Sequence, residues 1–189
     1  MTANRSDILN AQILIVDDRE SNVSLLAQIL SEDGYTRVTT TTESVEVCAL
    51  HMKNRYDLIL LDLQMPGMDG FQVMDGLKAN ESESYLPVIV LTAQPGLKLR
   101  ALKAGAKDFI SKPFELVEVT TRIYNMLEVR LLYRRLENYN LELEQAVRER
   151  TAELRESESH YRSLAELAVE WHWEKDENGK LTKKAGATL

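Results

Sequence analysis

Short apolar runs separated by amphipathic stretches dominate the first two thirds of the chain. Ile13-Leu14-Ile15-Val16, Leu58-Ile59-Leu60-Leu61 and Val88-Ile89-Val90-Leu91 are continuous apolar runs, as in strands buried on both faces. A weaker, polar strand over residues 37–40 suits a sheet edge, and Phe109-Ile110 marks a fifth. Helical spacing fills the gaps. Residues 19–33 carry Val23, Leu26, Ile29 and Leu30 on one face, with Gly34 as the stop. Residues 43–53 place Val45, Cys48, Ala49 and Met52 on a face expected to be inward. Residues 70–79 carry Val73, Met74 and Leu77, and residues 95–104 end at Gly105. From Glu115 onward Leu116, Val119, Ile123, Met126 and Leu127 are expected to face inward. Five strand–helix units predict an α/β fold, a doubly wound five-stranded parallel sheet covered on both faces.

The last helix has no stop where such a domain should end. Neither Gly nor Pro occurs from Glu115 to Val169. Less polar residues recur at Val129, Leu132, Leu136, Tyr139, Leu143, Val147, Leu154, Tyr161, Leu164 and Ala168, mostly in heptad steps. That spacing predicts a two-stranded coiled coil and hence a homodimer, with a stutter near Leu143–Val147. Some 55 helical residues would extend roughly 80 Å. Beyond it, Trp171-His172-Trp173-Glu174 and Lys180-Leu181-Thr182 flank Asp176-Glu177-Asn178-Gly179, the pattern of a hairpin turning at Asn-Gly. A hairpin alone makes no core, so this stretch reads as the cut edge of another domain. The expected organisation is a domain over 11–128, a helical linker over 129–168 and a truncated domain over 169–189.

Charge and composition narrow the function. A net charge of -7 argues against a nucleic-acid partner, which would select a basic face. Cys48 is the single cysteine, so no internal disulfide forms and a reducing, cytoplasmic compartment is expected. No apolar stretch approaches a membrane span, and the N-terminus lacks the plan of a secretion signal.

The chemistry gathers at strand ends. The first strand runs into Asp17-Asp18, the third into Asp62, the fourth into Thr92 and the fifth toward Lys112-Pro113. In doubly wound sheets ligands collect outside the carboxyl ends of the strands. Asp62 is expected there as an exposed carboxylate. Clustered acids repel one another unless a cation intervenes, and Asp17, Asp18 and Asp62 are oxygen donors suited to Mg²⁺. Lys112 offers a point charge, and Thr92 a hydroxyl, to a phosphoryl oxygen.

This set resembles the receiver domain of two-component response regulators. Matching stretches are Val16-Asp17-Asp18, Leu61-Asp62-Leu63-Gln64-Met65-Pro66-Gly67-Met68-Asp69-Gly70, Leu91-Thr92-Ala93 and Gly105-Ala106-Lys107-Asp108-Phe109-Ile110-Ser111-Lys112-Pro113-Phe114. The resemblance implies a flavodoxin-like strand order of 2-1-3-4-5. It implies that Asp62 accepts a phosphoryl group from a histidine kinase or phosphotransfer protein. Asp18, Asp62 and the main-chain carbonyl of Gln64 would bind Mg²⁺ directly, and Asp17 through water. Thr92 and Lys112 would meet the phosphoryl group, Phe109 would be the aromatic of the switch, and the Lys112–Pro113 bond would be cis. Tyr161-Arg162-Ser163-Leu164-Ala165-Glu166 with Trp171-His172-Trp173-Glu174 resembles the opening of a PAS sensor domain. The domain would be regulatory rather than enzymatic. Its output module, absent from this chain, would be a diguanylate cyclase, a phosphodiesterase or a kinase.

Three rivals are weighed against this. A flavodoxin-type binder needs a small-residue phosphate loop, and Asp17-Asp18-Arg19-Glu20-Ser21 supplies acids instead. An aspartyl hydrolase would want an acid/base two positions after Asp62, where Gln64 stands. A phosphorylation-independent dimerisation module would have no use for the intact acid set.

Overall fold

The computed structural model describes residues 4–79, 85–169, 171–175 and 177–185. Five strands, β1 (Gln12–Val16), β2 (Arg37–Thr41), β3 (Leu58–Asp62), β4 (Val88–Thr92) and β5 (Asp108–Ser111), form one parallel sheet in the order β2-β1-β3-β4-β5. The predicted doubly wound α/β fold is therefore observed, with the polar strand at the edge.

Alternation along the strands divides the core. Ile13, Ile15, Leu58, Leu60, Ile89, Leu91 and Ile110 face α1 (Arg5–Leu9), α2 (Glu20–Glu32) and the first part of α6 (Leu116–Val169). Leu14, Val16, Ile59, Leu61, Val88 and Val90 face α3 (Val47–Asn54), α4 (Gly70–Ala79) and α5 (Pro95–Lys103). Every residue of β3 and β4 is buried, and each of their Leu, Ile and Val side chains contributes about 1.5–3 kcal/mol.

The structure departs from the sequence pattern in three places. The helix α1 was not expected; it folds Ile8 fully into the core. Residues 43–53 divide into a 3₁₀ turn, Ser44–Glu46, and α3. The tighter turn rotates the face. Ser44, Val47 and His51 are buried, Val45, Ala49 and Met52 are exposed, and Cys48 is half-buried against Gly76. Burial pushes the Cys48 thiol above its usual range, which suits packing rather than reactivity. Leu116 is exposed at the mouth of α6, where Val119, Ile123 and Leu127 carry the contact and Met126 packs beside them.

The first compact unit ends at Leu136. Arg130, 2% exposed, approaches Asp57 at 3.9 Å and donates to the Tyr85 carbonyl. Arg134 pairs with Asp57 at 2.6 Å, and Arg135 pairs with Asp7 of α1. Asp57 also accepts the Gln12 N–H at 3.0 Å. Asp57 immediately precedes β3, so this anchor lies at the opposite end of that strand from Asp62.

The second unit spans residues 137–189. It continues α6, whose Tyr139, Leu143, Val147, Leu154, Tyr161 and Leu164 are all exposed. The expected hairpin forms from β6 (Trp171–Lys175) and β7 (Leu181–Ala185), antiparallel, with Gly179 at φ 78° in the turn. Asp176 and residues 186–189 lie outside the described residues. Among the described residues no helix is long and apolar enough to cross a membrane.

Candidate functional site

The carboxyl ends of β1, β3 and β5 bring the acids and the lysine together. One carboxylate oxygen from each of Asp17, Asp18 and Asp62 lies within 4.8 Å of the others. Lys112 bridges two of them, at 2.7 Å from Asp17 Oδ2 and 3.1 Å from Asp62 Oδ2. The Lys112 N–H donates to the Thr92 carbonyl at 2.9 Å, and the Lys112–Pro113 bond is cis.

The three acids differ in surroundings. Asp17 is fully buried and Asp18 is exposed. Asp62 is 4% exposed, where an exposed carboxylate was expected. The correction has a plain cause: Asp62 is the last residue of a strand whose every position is buried. Burial therefore raises the Asp62 pKa, and Asp17 adds to the rise. Lys112 and the Gln64 N–H, which donates to the carboxylate, oppose it.

Gly70 explains how the loop after β3 closes. A Cβ there would lie 2.4 Å from the Asp62 carbonyl and 2.9 Å from the Leu63 Cα. Only glycine allows α4 to start this close to β3.

Two expected residues stand apart from the cluster. Thr92 is buried, and its hydroxyl accepts the Gln94 N–H at 3.1 Å and donates to the Gln94 carbonyl at 3.4 Å. Phe109 is half-buried, with Lys98 Nζ 4.6 Å from the ring centre and Arg122 Cζ at 5.4 Å on its account as well. Lys98 also donates to Ser111 at 2.8 Å, while Arg122 holds Asp108 through both carboxylate oxygens at 2.7 Å.

Sequence reasoning missed two contributors. The Arg19 N–H and the Asn22 side chain both donate to Asp17 Oδ1, at 3.0 and 2.9 Å. Spacing gives the signal: Asn22 stands in the first turn of the helix that follows the acid pair.

The donor set fits a divalent cation. Three carboxylates share one ammonium among them, which leaves uncompensated negative charge at a rim of hard oxygen ligands.

A parallel sheet of this order, with acids and a lysine at its carboxyl rim, defines a doubly wound α/β domain with a cation-suited rim. The response regulator receiver domain model matches residues 13–124, and the chain belongs to that family. Receiver domains of response regulators are regulatory. Response regulator PleD of Caulobacter vibrioides is 36% identical over 126 residues, 66% of this chain and 28% of PleD. Transcriptional regulatory protein YvrH of Bacillus subtilis is 35% identical over 116 residues, 60% of this chain and 48% of YvrH. The chain thus spans under a third of the one and about half of the other. Among solved structures, the receiver domain of the sensor histidine kinase PA1611 of Pseudomonas aeruginosa, with magnesium coordinated in its active site cleft, aligns with TM-score 0.58 at 30% identity. It covers 62% of this chain and 98% of that one. The chemotaxis response regulator CheY4 of Vibrio cholerae aligns with TM-score 0.57 at 28% identity, with the same coverage.

Proposed function

We propose that the sheet unit is a phosphoacceptor. Asp62 receives a phosphoryl group from a histidine kinase or phosphotransfer protein, and its state passes along α6 to an output module. The carrying observation is the three-carboxylate cluster bridged by Lys112 at the strand ends. Asp62 supplies the nucleophilic oxygen. Lys112 already touches its Oδ2 and can transfer that contact to an oxygen of the incoming group. Thr92 and Phe109 follow as the switch, the hydroxyl by leaving Gln94 and the ring by turning inward. Asp18, Asp62 and the Gln64 carbonyl are the direct ligands proposed for Mg²⁺. Indirect service by Asp17 accords with its two oxygens already engaging Lys112, Arg19 and Asn22. Bound Mg²⁺ supplies positive charge against the phosphoryl oxygens.

Incubation with Mg²⁺ and acetyl phosphate, followed by intact mass, tests this. The expected result is one acid-labile phosphoryl adduct that is absent from Asp62→Ala. An acid-stable adduct, no adduct, or one that survives the substitution refutes it.

The exposed heptad stripe from Leu136 to Leu164 supports a homodimer through α6. The domain division at 128 and 168, the PAS-like character of the hairpin segment and a cytoplasmic location complete the proposal. A dimerisation module indifferent to phosphorylation remains the alternative, favoured only if the adduct fails to form while the dimer persists.

A further inference from the structure

The side chain of Asn22 has no part in the scheme above, yet it makes a hydrogen bond inside the acid cluster. It sits in the first turn of α2, half-buried, with its Nδ2 2.9 Å from Asp17 Oδ1. Two observations separate this bond from ordinary helix capping. A cap side chain accepts from the free N–H groups of the first turn, whereas Asn22 donates. The N-cap residue of α2 is Arg19, which makes no side-chain cap. An ionised carboxylate only accepts, so the amide nitrogen must be the atom that faces it.

Asp17 has its two oxygens divided between distinct partners. Oδ1 takes the Arg19 N–H at 3.0 Å and the Asn22 amide at 2.9 Å. Oδ2 takes Lys112 at 2.7 Å, closer than Lys112 stands to Asp62 at 3.1 Å. Lys112 is therefore contested between two acids. How strongly Asp17 holds it depends on how well the rest of that carboxylate is satisfied. Asn22 supplies one of the two donors that neutralise the far oxygen, and it fixes which oxygen faces Lys112.

We propose that Asn22 is a positioning residue for phosphoryl transfer, acting through Asp17 to set the hold on Lys112. The inference rests on the phosphoacceptor reading. Without the Asn22 amide, Asp17 keeps one main-chain donor and leans harder on Lys112. The ammonium then moves less readily toward Asp62, and the carboxylate turns more freely beside the cation site. Nothing covalent changes at Asn22 itself.

The test compares Asn22→Ala and Asn22→Asp with wild type. Adduct formation from acetyl phosphate is followed by intact mass at saturating Mg²⁺, and Mg²⁺ affinity by calorimetry, after thermal melts establish that each variant is folded at the assay temperature. Asn22→Ala should react about tenfold more slowly and bind Mg²⁺ several-fold more weakly, the scale of one charge-assisted hydrogen bond. Asn22→Asp keeps the shape but replaces a donor with an acceptor. It should react at least as slowly as Asn22→Ala. A wild-type rate in Asn22→Asp means that shape alone matters and overturns the proposal. So do melting losses in both variants with rate and Mg²⁺ affinity unchanged. Failure of wild type to form any adduct refutes the phosphoacceptor reading instead, a different outcome from equal rates in all three proteins.

Discussion

At the scale of single residues, Asp62 is held at a cost. Its carboxyl is buried, which raises its pKa above the unfolded value despite Lys112. The stability linked to this group is fully present below the ordinary carboxylate pKa, and is lost as pH rises through the raised folded value. In Mg²⁺-free buffer Asp62→Asn should therefore be more stable than wild type at neutral pH, by on the order of 1 kcal/mol. Thermal melts across pH should show that advantage closing as pH falls and Asp62 takes up its proton. Mg²⁺ at tenfold its dissociation constant should restore about 1.4 kcal/mol to wild type. Asp62→Asn should gain much less. Gly70 is the second sensitive residue. Gly70→Ala drives a Cβ into the Asp62 carbonyl, so denaturant melts should show a loss of about 1–3 kcal/mol, together with slower adduct formation.

At the scale of elements, α6 is fastened to the sheet by ions rather than by apolar contact alone. Asp57 is 4% exposed and serves Arg130, Arg134 and the Gln12 N–H. Asp57→Ala should cost about 3 kcal/mol, because it leaves buried cationic charge without its counterion. Arg134 is half-exposed, so Arg134→Ala should cost under about 1 kcal/mol. Hydrogen exchange should place the weakening in residues 127–136. None of this anchor was legible beforehand. The strands were, because continuous apolar runs of four have few other homes, and so was the meeting of Asp17, Asp18, Asp62 and Lys112, because each lies at or just past a strand end. The ion pairs to Asp57 join residues 73 and 77 positions apart, and local periodicity carries no trace of them. The 3₁₀ turn at Ser44–Glu46 was hidden for a related reason. One tight turn shifts the helical phase, so the face read as Val45, Ala49 and Met52 gave way to Val47 and His51.

At the scale of the whole molecule, the proposed dimer depends on where the sheet unit ends. A chain cut near 127 would lose Arg130 and Arg134, and with them part of its own fold. Cutting after Leu136 keeps the first compact unit intact. Light scattering should find that 1–136 fragment monomeric at concentrations where the full chain is a dimer; an equal mass ratio would remove α6 as the principal contact.

The strand β3 carries Asp62 at its tip and is preceded directly by Asp57, so both acids hang on one five-residue span. Adding or deleting a residue within it would slide one acid by about 3.3 Å relative to the other and turn its neighbours to the wrong face. Length variation among natural versions of this chain should thus collect in the connecting loops, and β3 should act as a ruler that evolution leaves uncut.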